Sequence, residues 1–534
     1  MEEEKALIKE KFNIKFMKVL VGIASTIILI VLLFLFIESF IYTAYFNNPS
    51  FDWYNESLRY ETDNIIINLV GFVFSLLIIK GLTKISEKAN YKWILGFAII
   101  IITVLGLLWV NFVKAPVKSD QKAVLNFAKH FSENQYTDLG ERGYLYAHPL
   151  QLGCVLGMEF IIRVVHSSEW IVLQNINVGF IIICMILLYK ISMQIYDDFD
   201  VQKTLAILSA MCFVIPMYAV VVYGNIYGFT FSLLGIFLML KYFENNKIRY
   251  IILLPLTMAI SIMFKSNYEI ILIAILISLI LDLIRSFKLK TIIAIALLLI
   301  TLFGTYPLIY KIVEARTGVK PNDGIPMITY IAMSIQERVS RNSGWYHDYR
   351  NVETIYHGNS FDSKATAKES KKIIQERIEE FKGTPKMAEY FYLDKIKSTW
   401  LEPAFQTFWW SEALEEFGGQ TEEYKEYITN NERLIDILHG KEHERILRYL
   451  DIIEIVIFGM SAFSIIVDFK NKTFNNQRII LLLCFLGGFL FHILWETKCI
   501  YVIPFYIMLL PSAADGINKI KVKKLSFKKK QNNI

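Results

Sequence analysis

The stretch Leu150–Val165, LQLGCVLGMEFIIRVV, decides how this chain is threaded through a membrane. It is apolar, but it falls short of the roughly 18 apolar residues that indicate a spanning helix. Lys and Arg are enriched in the cytoplasmic loops of membrane proteins. If 150–165 does not cross, nearly every short basic loop of this chain lies on one side. We therefore predict that the segment is a helix that lies in, or re-enters, the outer leaflet.

The remaining composition is that of a polytopic membrane protein. The 534 residues are 54% hydrophobic and only 20% charged, whereas soluble domains carry about 25% charged residues. The apolar runs are continuous instead of alternating, which indicates helices and not barrel strands. The sequence predicts an all-α polytopic fold with about twelve transmembrane helices. These predicted spans are 17–41, 63–81, 93–113, 170–190, 203–223, 226–241, 250–264, 268–285, 291–311, 449–468, 478–494 and 499–517.

The distribution of basic residues also predicts the orientation, with both termini in the cytoplasm and two large segments outside. We expect a multi-pass protein of the cell membrane with its site on the extracytoplasmic face. The basic tail suits contact with anionic membrane lipids, and we do not expect nucleic acid as a partner. The four predicted units are an N-terminal transmembrane module at 1–311, which includes the outer segment 114–169, an extracytoplasmic domain at 312–448, C-terminal transmembrane helices at 449–518 and a basic tail at 519–534.

Polar residues gather on the predicted outer side. Asp120 opens the first outer segment, and Lys265 and Lys498 lie at the outer ends of spans. Charges at membrane depth are costly and are usually paired or functional, so we treat these residues as candidates for a site. No His, Cys or acidic residues have the spacing of metal ligands, and a divalent cation is not signalled. Further candidates on the same side are Glu141, Arg142, His148, Tyr223, Asn225 and Glu496.

The order of these features resembles the GT-C superfamily of integral-membrane glycosyltransferases. It is most similar to glycosyltransferase family 39 and its bacterial relatives, which include protein O-mannosyltransferases and aminoarabinose transferases. The resemblance rests on Asp120 early in the first outer segment, on His148-Pro149-Leu150 before the juxtamembrane helix, and on the pattern WETKCIY at 495–501. The family carries a second acid beside the first and a second proline after the first. This chain has Gln121 and Leu150 at those positions.

The resemblance implies a GT-C-like bundle and chemistry on a lipid-linked sugar. The expected donor is a polyprenyl-phosphate sugar, and the expected acceptor is an extracytoplasmic glycan, lipid or protein. Asp120 would act as the general base, a role that suits a carboxylate. Lys265 and Lys498 would bind the donor phosphate, whose developing charge needs cations. The other candidates would contact substrate, and no cofactor is required. Frequent Lys, Ile and Asn suggest a bacterium with an AT-rich genome, which favours an undecaprenyl lipid.

Structural roles compete with each of these assignments. Asp120 follows Ser119 ahead of a helix-like stretch, so it also suits a helix N-cap. A lysine at the end of a span often extends its ammonium towards water, and Lys498 also has a carboxylate close in sequence at Glu496. Glu141 and Arg142 form a possible ion pair with each other.

Two other functions use the same membrane topology. A polysaccharide polymerase or ligase also acts on lipid-linked sugars, and such enzymes rely on arginines in outer loops. This chain has Arg338, Arg341 and Arg350 in its second outer segment. A lipid-linked-sugar flippase or transporter typically shows internal repeats and charged residues near the middle of the bilayer. The sequence shows no repeat, and its charges lie at the outer ends of spans.

Overall fold

A computed structural model describes residues 2–46, 56–336, 341–346, 350–413, 421–471, 473 and 477–520, with side chains from Asn13 onward. Its architecture is a bundle of apolar helices, so the predicted all-α polytopic class is confirmed. Most of the predicted basic tail, from residue 521 onward, lies outside the described residues.

The first third of the chain contains three long apolar helices followed by three shorter ones. A two-stranded antiparallel ribbon, with β1 (Tyr42–Phe46) and β2 (Leu58–Thr62), follows the first helix, and the sequence analysis did not predict it. The 150–165 segment forms a separate helix of 15 residues, about 22 Å long at 1.5 Å per residue. The helices are α1 (Glu2–Ile41), α2 (Ile65–Ile85), α3 (Tyr91–Val113), α4 (Ser119–Ser132), α5 (Tyr144–Ala147) and α6 (Gln151–Val165).

The middle of the chain is a series of helices that pack as antiparallel neighbours. Glycines bring two of them close together: a Cβ atom at Gly224 would lie 1.9 Å from the Phe264 carbonyl oxygen. This close approach sets the end of one helix beside the start of the other. The helices are α7 (Trp170–Tyr196), α8 (Phe199–Met211), α9 (Val214–Met217), α10 (Gly224–Asn245), α11 (Ile248–Phe264), α12 (Glu269–Arg285) and α13 (Leu289–Thr317).

The described part of the segment 312–448 is largely helical, and the last helices return to apolar composition. The predicted amphipathic stretch ESKKIIQERIEEFKG lies within one long helix, as expected. The helices of this segment are α14 (Met327–Ser334), α15 (Val352–Gly358), α16 (Ser363–Gly383), α17 (Pro385–Trp400), α18 (Thr407–Trp410), α19 (Glu422–Thr429) and α20 (Glu432–His439). The C-terminal helices are α21 (Lys441–Asn471), α22 (Ile479–Leu494), α23 (Cys499–Ile507) and α24 (Leu510–Lys519).

Within the described ranges, eight helices are long and apolar enough to cross a membrane, or ten if each of two bent pairs counts as one span. The bent pairs join α8 to residues 214–220 and α23 to α24, with bends of 56° and 49°. The predicted spans 250–264 and 478–494 correspond to α11 and α22, which are shorter apolar helices of 17 and 16 residues.

A buried ion cluster fastens α6 to the end of α13. The carboxylate of Glu159, whose side chain is 5% exposed, lies 2.6 Å from Arg316 Nη1 and 2.8 Å from Arg163 Nε. Both arginines also donate a hydrogen bond to the Phe131 carbonyl in α4. Removing one partner of a buried pair leaves an unpaired charge, which is costly. The cluster therefore fixes α4 and α6 as one unit.

Candidate functional site

Most of the predicted candidates converge where α10, α11 and α23 begin or end. The Lys265 ammonium follows α11 and lies 4.0 Å from the ring centroid of Tyr223, which precedes α10. It also lies 5.4 Å from the ring centroid of Tyr501 in α23. Burial lowers the pKa of Lys265 to about 8, and the nearby charges of Asp120 and Glu496 oppose that shift. Residues far apart in sequence thus share one electrostatic environment.

Asp120 lies in the first turn of α4 and its side chain is exposed. The N-cap of this helix is Lys118, and it makes no side-chain capping bond. The N-cap interpretation of Asp120 is therefore wrong, because the residue lies inside the first turn. The hydroxyl of Tyr144 in α5 is its neighbour: burial raises the pKa of Tyr144, and the Asp120 charge raises it further. The phenol thus stays protonated beside a carboxylate that is open to solvent.

The residues flanking Asp120 hold its helix in position. Lys118 is fully buried, and its ammonium lies 3.6 Å from the centroid of the Trp409 ring. The same ammonium donates hydrogen bonds to the backbone oxygens of Trp409 and Glu412. On the other side, Gln121 Oε1 accepts a 2.8 Å hydrogen bond from the Val222 amide. Because catalytic groups lose efficiency when displaced by about 1 Å, these anchors matter for the position of Asp120.

The backbone before Tyr223 leaves a short 3-10 helix at Tyr218–Val220 and becomes irregular at 221–222, and buried amide side chains satisfy its polar groups. Asn177 Nδ2 donates to the carbonyls of Ala219 and Val221, at 2.9 and 3.0 Å. Gln174 Nε2 donates to the Val220 carbonyl at 3.0 Å. Irregular backbone at membrane depth is tolerated where protein groups satisfy it. These contacts fix Tyr223, whose hydroxyl accepts a hydrogen bond from Gln151 Nε2 in α6.

His148 links the two outer segments through a chain of side chains. Its Nδ1 lies 3.0 Å from the Tyr330 hydroxyl, and its Nε2 lies 3.0 Å from Glu353 Oε1. The Tyr346 hydroxyl donates to the other carboxylate oxygen of Glu353 at 3.1 Å. Burial raises the pKa of Glu353. The hydrogen bond to His148, together with nearby groups, lowers it by more, so the net pKa of Glu353 is lowered. The carboxylate therefore stays ionised and orients the His148 ring.

Glu496 and Lys498 lie in the connection between α22 and α23, but they are not paired with each other. Glu496 Oε1 accepts a 3.3 Å hydrogen bond from the Tyr501 hydroxyl. The Lys498 ammonium lies 2.7 Å from both oxygens of Glu56. The predicted pairing of Lys498 with Glu496 is therefore wrong, because the ammonium contacts Glu56, which lies two residues before β2. Lys498 as a donor-phosphate ligand stays a prediction.

The other predicted residues occupy the edge of this region. Glu141 and Arg142 are exposed, and within the described part of the chain they form no ion pair with each other. The Arg142 guanidinium instead lies 5.3 Å from the Phe361 ring centroid. Asn225 is buried in the first turn of α10. Together with Lys265 and Asn267 it lines a small cavity that Tyr501 and Phe505 close on the apolar side.

The sequence analysis missed Tyr144, Glu56, Tyr330, Tyr346 and Glu353. Only Tyr144 carried a signal, since the LGERGYLYAHPLQLG stretch also contains His148. The others come from residues with no distinguishing local pattern. As for metals, the described residues contain no group of three or more His, Cys, Asp or Glu side chains that could hold an ion.

Comparisons with known proteins identify the family to which the chain belongs. No curated protein matches it. A family model described as "Conserved hypothetical integral membrane protein" matches residues 20–517, which is nearly the whole chain. This agrees with the membrane helices described above. The chain therefore belongs to the family of conserved hypothetical integral membrane proteins.

Proposed function

We propose that this protein is a membrane glycosyltransferase that moves a sugar from a polyprenyl-phosphate-linked donor to an extracytoplasmic acceptor. The observation that carries the proposal is the combination of Asp120 and Lys265. An exposed carboxylate and a cation at the end of an apolar helix share one electrostatic environment. Within the described residues the Lys265 ammonium has no hydrogen-bond acceptor and no ion-pair partner. An anionic headgroup held in the membrane is a fitting ligand for it.

In the proposed reaction, Asp120 accepts the proton of an acceptor hydroxyl while that oxygen bonds to the anomeric carbon of the sugar. The bond between the anomeric carbon and the phosphate oxygen breaks, and the lipid phosphate leaves with the electron pair. Lys265 stabilises the charge that develops on the phosphate, as preorganised cations do. A single displacement of this kind inverts the anomeric centre. The reaction needs no cofactor.

The tyrosines and His148 would shape the sugar site between these two groups. The Tyr330 ring stacks on Trp495, with centroids 5.4 Å apart and an interplanar angle of 11°. His148 fixes the Tyr330 hydroxyl from the other side. Glu496, Tyr223 and Asn225 supply further polar groups along this wall. Glu141 and Arg142 lie at the exposed rim, where an acceptor would enter.

The competing functions have less support. Of the three arginines suited to a polymerase or ligase, Arg341 faces Glu56, Arg350 is exposed and Arg338 lies outside the described residues. A transporter would use charges near mid-bilayer. Asp451 and Glu454 are buried in α21, but Asp451 is already close to Arg448, at 3.4 Å.

Cells provide the first test of the proposal. Loss of the protein is expected to remove one sugar from a cell-envelope glycan, lipid or protein, and to cause the lipid-linked precursor to accumulate on the outer face. Mass spectrometry of envelope fractions detects the sugar, and a membrane-impermeant oxidant reports the side of the precursor. Accumulation on the inner face would indicate a flippase and contradict the proposal.

We expect the orientation to follow the distribution of basic residues. Single cysteines at Ser119 and Ser286, both exposed, should differ in labelling when a membrane-impermeant reagent is added from outside. The native cysteines are buried and provide a low background. Labelling at Ser119 but not at Ser286 is the expected result, because basic loops stay inside. Labelling at Ser286 alone would show that the topology is the reverse of the predicted one.

Donor binding should depend on pH through Lys265. Burial lowers the pKa of Lys265 to about 8, so its ammonium is charged below that pH and neutral above it. Affinity for the anionic donor is therefore expected to be highest below about pH 8 and to fall as pH rises beyond it. Lys265→Arg should remove this dependence, because a guanidinium stays charged. Equal pH profiles for the wild type and the variant would contradict this role.

A further inference from the structure

Two further basic residues, Lys498 and Arg341, lie near Lys265 and face the carboxylate of Glu56. These three residues are called the Glu56 cluster. The Glu56 carboxylate contacts Lys498 at 2.7 Å, Gln406 Nε2 at 2.7 Å and Arg341 Nη1 at 3.7 Å. The side chains of Glu56 and Arg341 are only 5% and 6% exposed. Two cations thus contact one carboxylate in a buried environment, and the Glu496 carboxylate also acts on Lys498.

Arg341 is incompletely bonded in this cluster. Its Nε and Nη1 atoms are buried and, within the described residues, have no hydrogen-bond partner. A buried polar group without a partner is destabilising, and a buried charge more so. Guanidinium N–H groups form charge-assisted hydrogen bonds to phosphate oxygens. The Nε and Nη1 atoms lie on different edges of the Arg341 guanidinium, so each is suited to donate to a separate phosphate oxygen.

The cluster adjoins the proposed donor site. Lys498 is the N-cap of α23, and the Tyr501 amide donates a hydrogen bond to the Lys498 carbonyl. The Tyr501 ring in turn lies 5.4 Å from the Lys265 ammonium. Lys498 is also among the charges that act on Lys265. Lys265 and the unpartnered donors of Arg341 in the Glu56 cluster thus belong to neighbouring parts of the structure.

We propose that Arg341 and Lys498 form a second phosphate subsite, so that the lipid donor is linked to its sugar through a diphosphate instead of a monophosphate. This inference rests on the proposed function. A sugar linked through one phosphate presents one phosphate group, which Lys265 can contact. A diphosphate linkage presents a second phosphate group, to which Lys498 and the unpartnered donors of Arg341 are suited. Glu56 would compete with the ligand for Lys498.

The test is binding of undecaprenyl phosphate and undecaprenyl diphosphate to the purified full-length protein in nanodiscs. The wild type is expected to prefer the diphosphate. Arg341→Gln should weaken diphosphate binding about tenfold to a hundredfold, as expected for a lost charge-assisted bond, and should leave monophosphate binding unchanged. Arg341→Lys should restore part of the affinity. Arg433→Gln, at an exposed arginine of α20, is the matched control and should have no effect.

Glu56→Gln keeps the proposal testable if Arg341→Gln is unstable, which thermal unfolding will reveal. Without the competing carboxylate, diphosphate affinity should rise. Equal affinity for the two lipids, or a fall in diphosphate affinity in Glu56→Gln, would overturn the diphosphate subsite. Failure of the proposed function looks different, because then neither lipid binds and Lys265→Ala changes nothing.

Discussion

Asp120→Asn is expected to lower sugar transfer about 10²-fold to 10⁴-fold, the usual contribution of a general base. The amide keeps the shape of the side chain but cannot accept the acceptor proton at neutral pH. Asp120 is exposed and makes no capping bond, so the free energy of unfolding should change by less than about 0.5 kcal/mol. Transfer kinetics and thermal unfolding of the same purified protein separate the two effects.

A matched control is available on the same helix. Glu133 is an exposed acid at the C-terminal end of α4, and Glu133→Gln should leave both turnover and unfolding temperature unchanged. If Asp120→Asn transfers sugar at the wild-type rate, Asp120 is not the base. Asp138, which is bonded to His130 at 2.8 Å, and Glu141 would then be the next acids to examine.

Lys265→Ala is expected to weaken use of the donor about tenfold to a hundredfold, because a hydrogen bond to a charged group contributes roughly 1.5–3 kcal/mol. The ammonium lies against aromatic rings and lines a small cavity. The effect should appear as a higher donor concentration for half-maximal rate, together with a slower rate at saturation. Lys265→Arg should recover part of the activity, since the charge is kept while the geometry changes.

Lys247→Ala provides the control for this experiment. Lys247 is exposed at the opposite end of α11, where extension towards water is the whole role of the side chain. Wild-type kinetics in Lys265→Ala at limiting donor would show that Lys265 also has only this role. Lys498→Ala is a less direct probe, because it also leaves the buried carboxylate of Glu56 without its closest cation.

The sequence was sufficient for the membrane class and for a short apolar segment at 150–165, which forms a separate helix, because both depend on local apolar length. That this helix does not cross the membrane stays a prediction. The sequence also predicted which polar residues lie near span ends, and Asp120, Tyr223, Lys265 and Glu496 do share one region. The β1–β2 ribbon was not predictable in the same way. Its ten residues are partly polar and lie between two long apolar runs.

The partners of the site residues required the tertiary structure. Glu56 and Lys498 are 442 positions apart, and His148 and Tyr330 are 182 apart. No local pattern relates residues over such distances. The assignment of Asp120 as a helix cap failed for a related reason. The helix is capped at Lys118, two residues earlier than expected, and the Lys118 ammonium lies against Trp409, which is distant in sequence.

One measurement tests the central claim most directly. Purified protein in nanodiscs is supplied with radiolabelled lipid-linked sugars, extracted from cells that carry the protein, and with a cell-envelope fraction as acceptor. The account predicts that wild-type protein moves label from the lipid phase to the acceptor and that Asp120→Asn at equal concentration does so at least about a hundredfold more slowly. Label that stays on the lipid with wild-type protein, or that moves equally fast with both proteins, would contradict it.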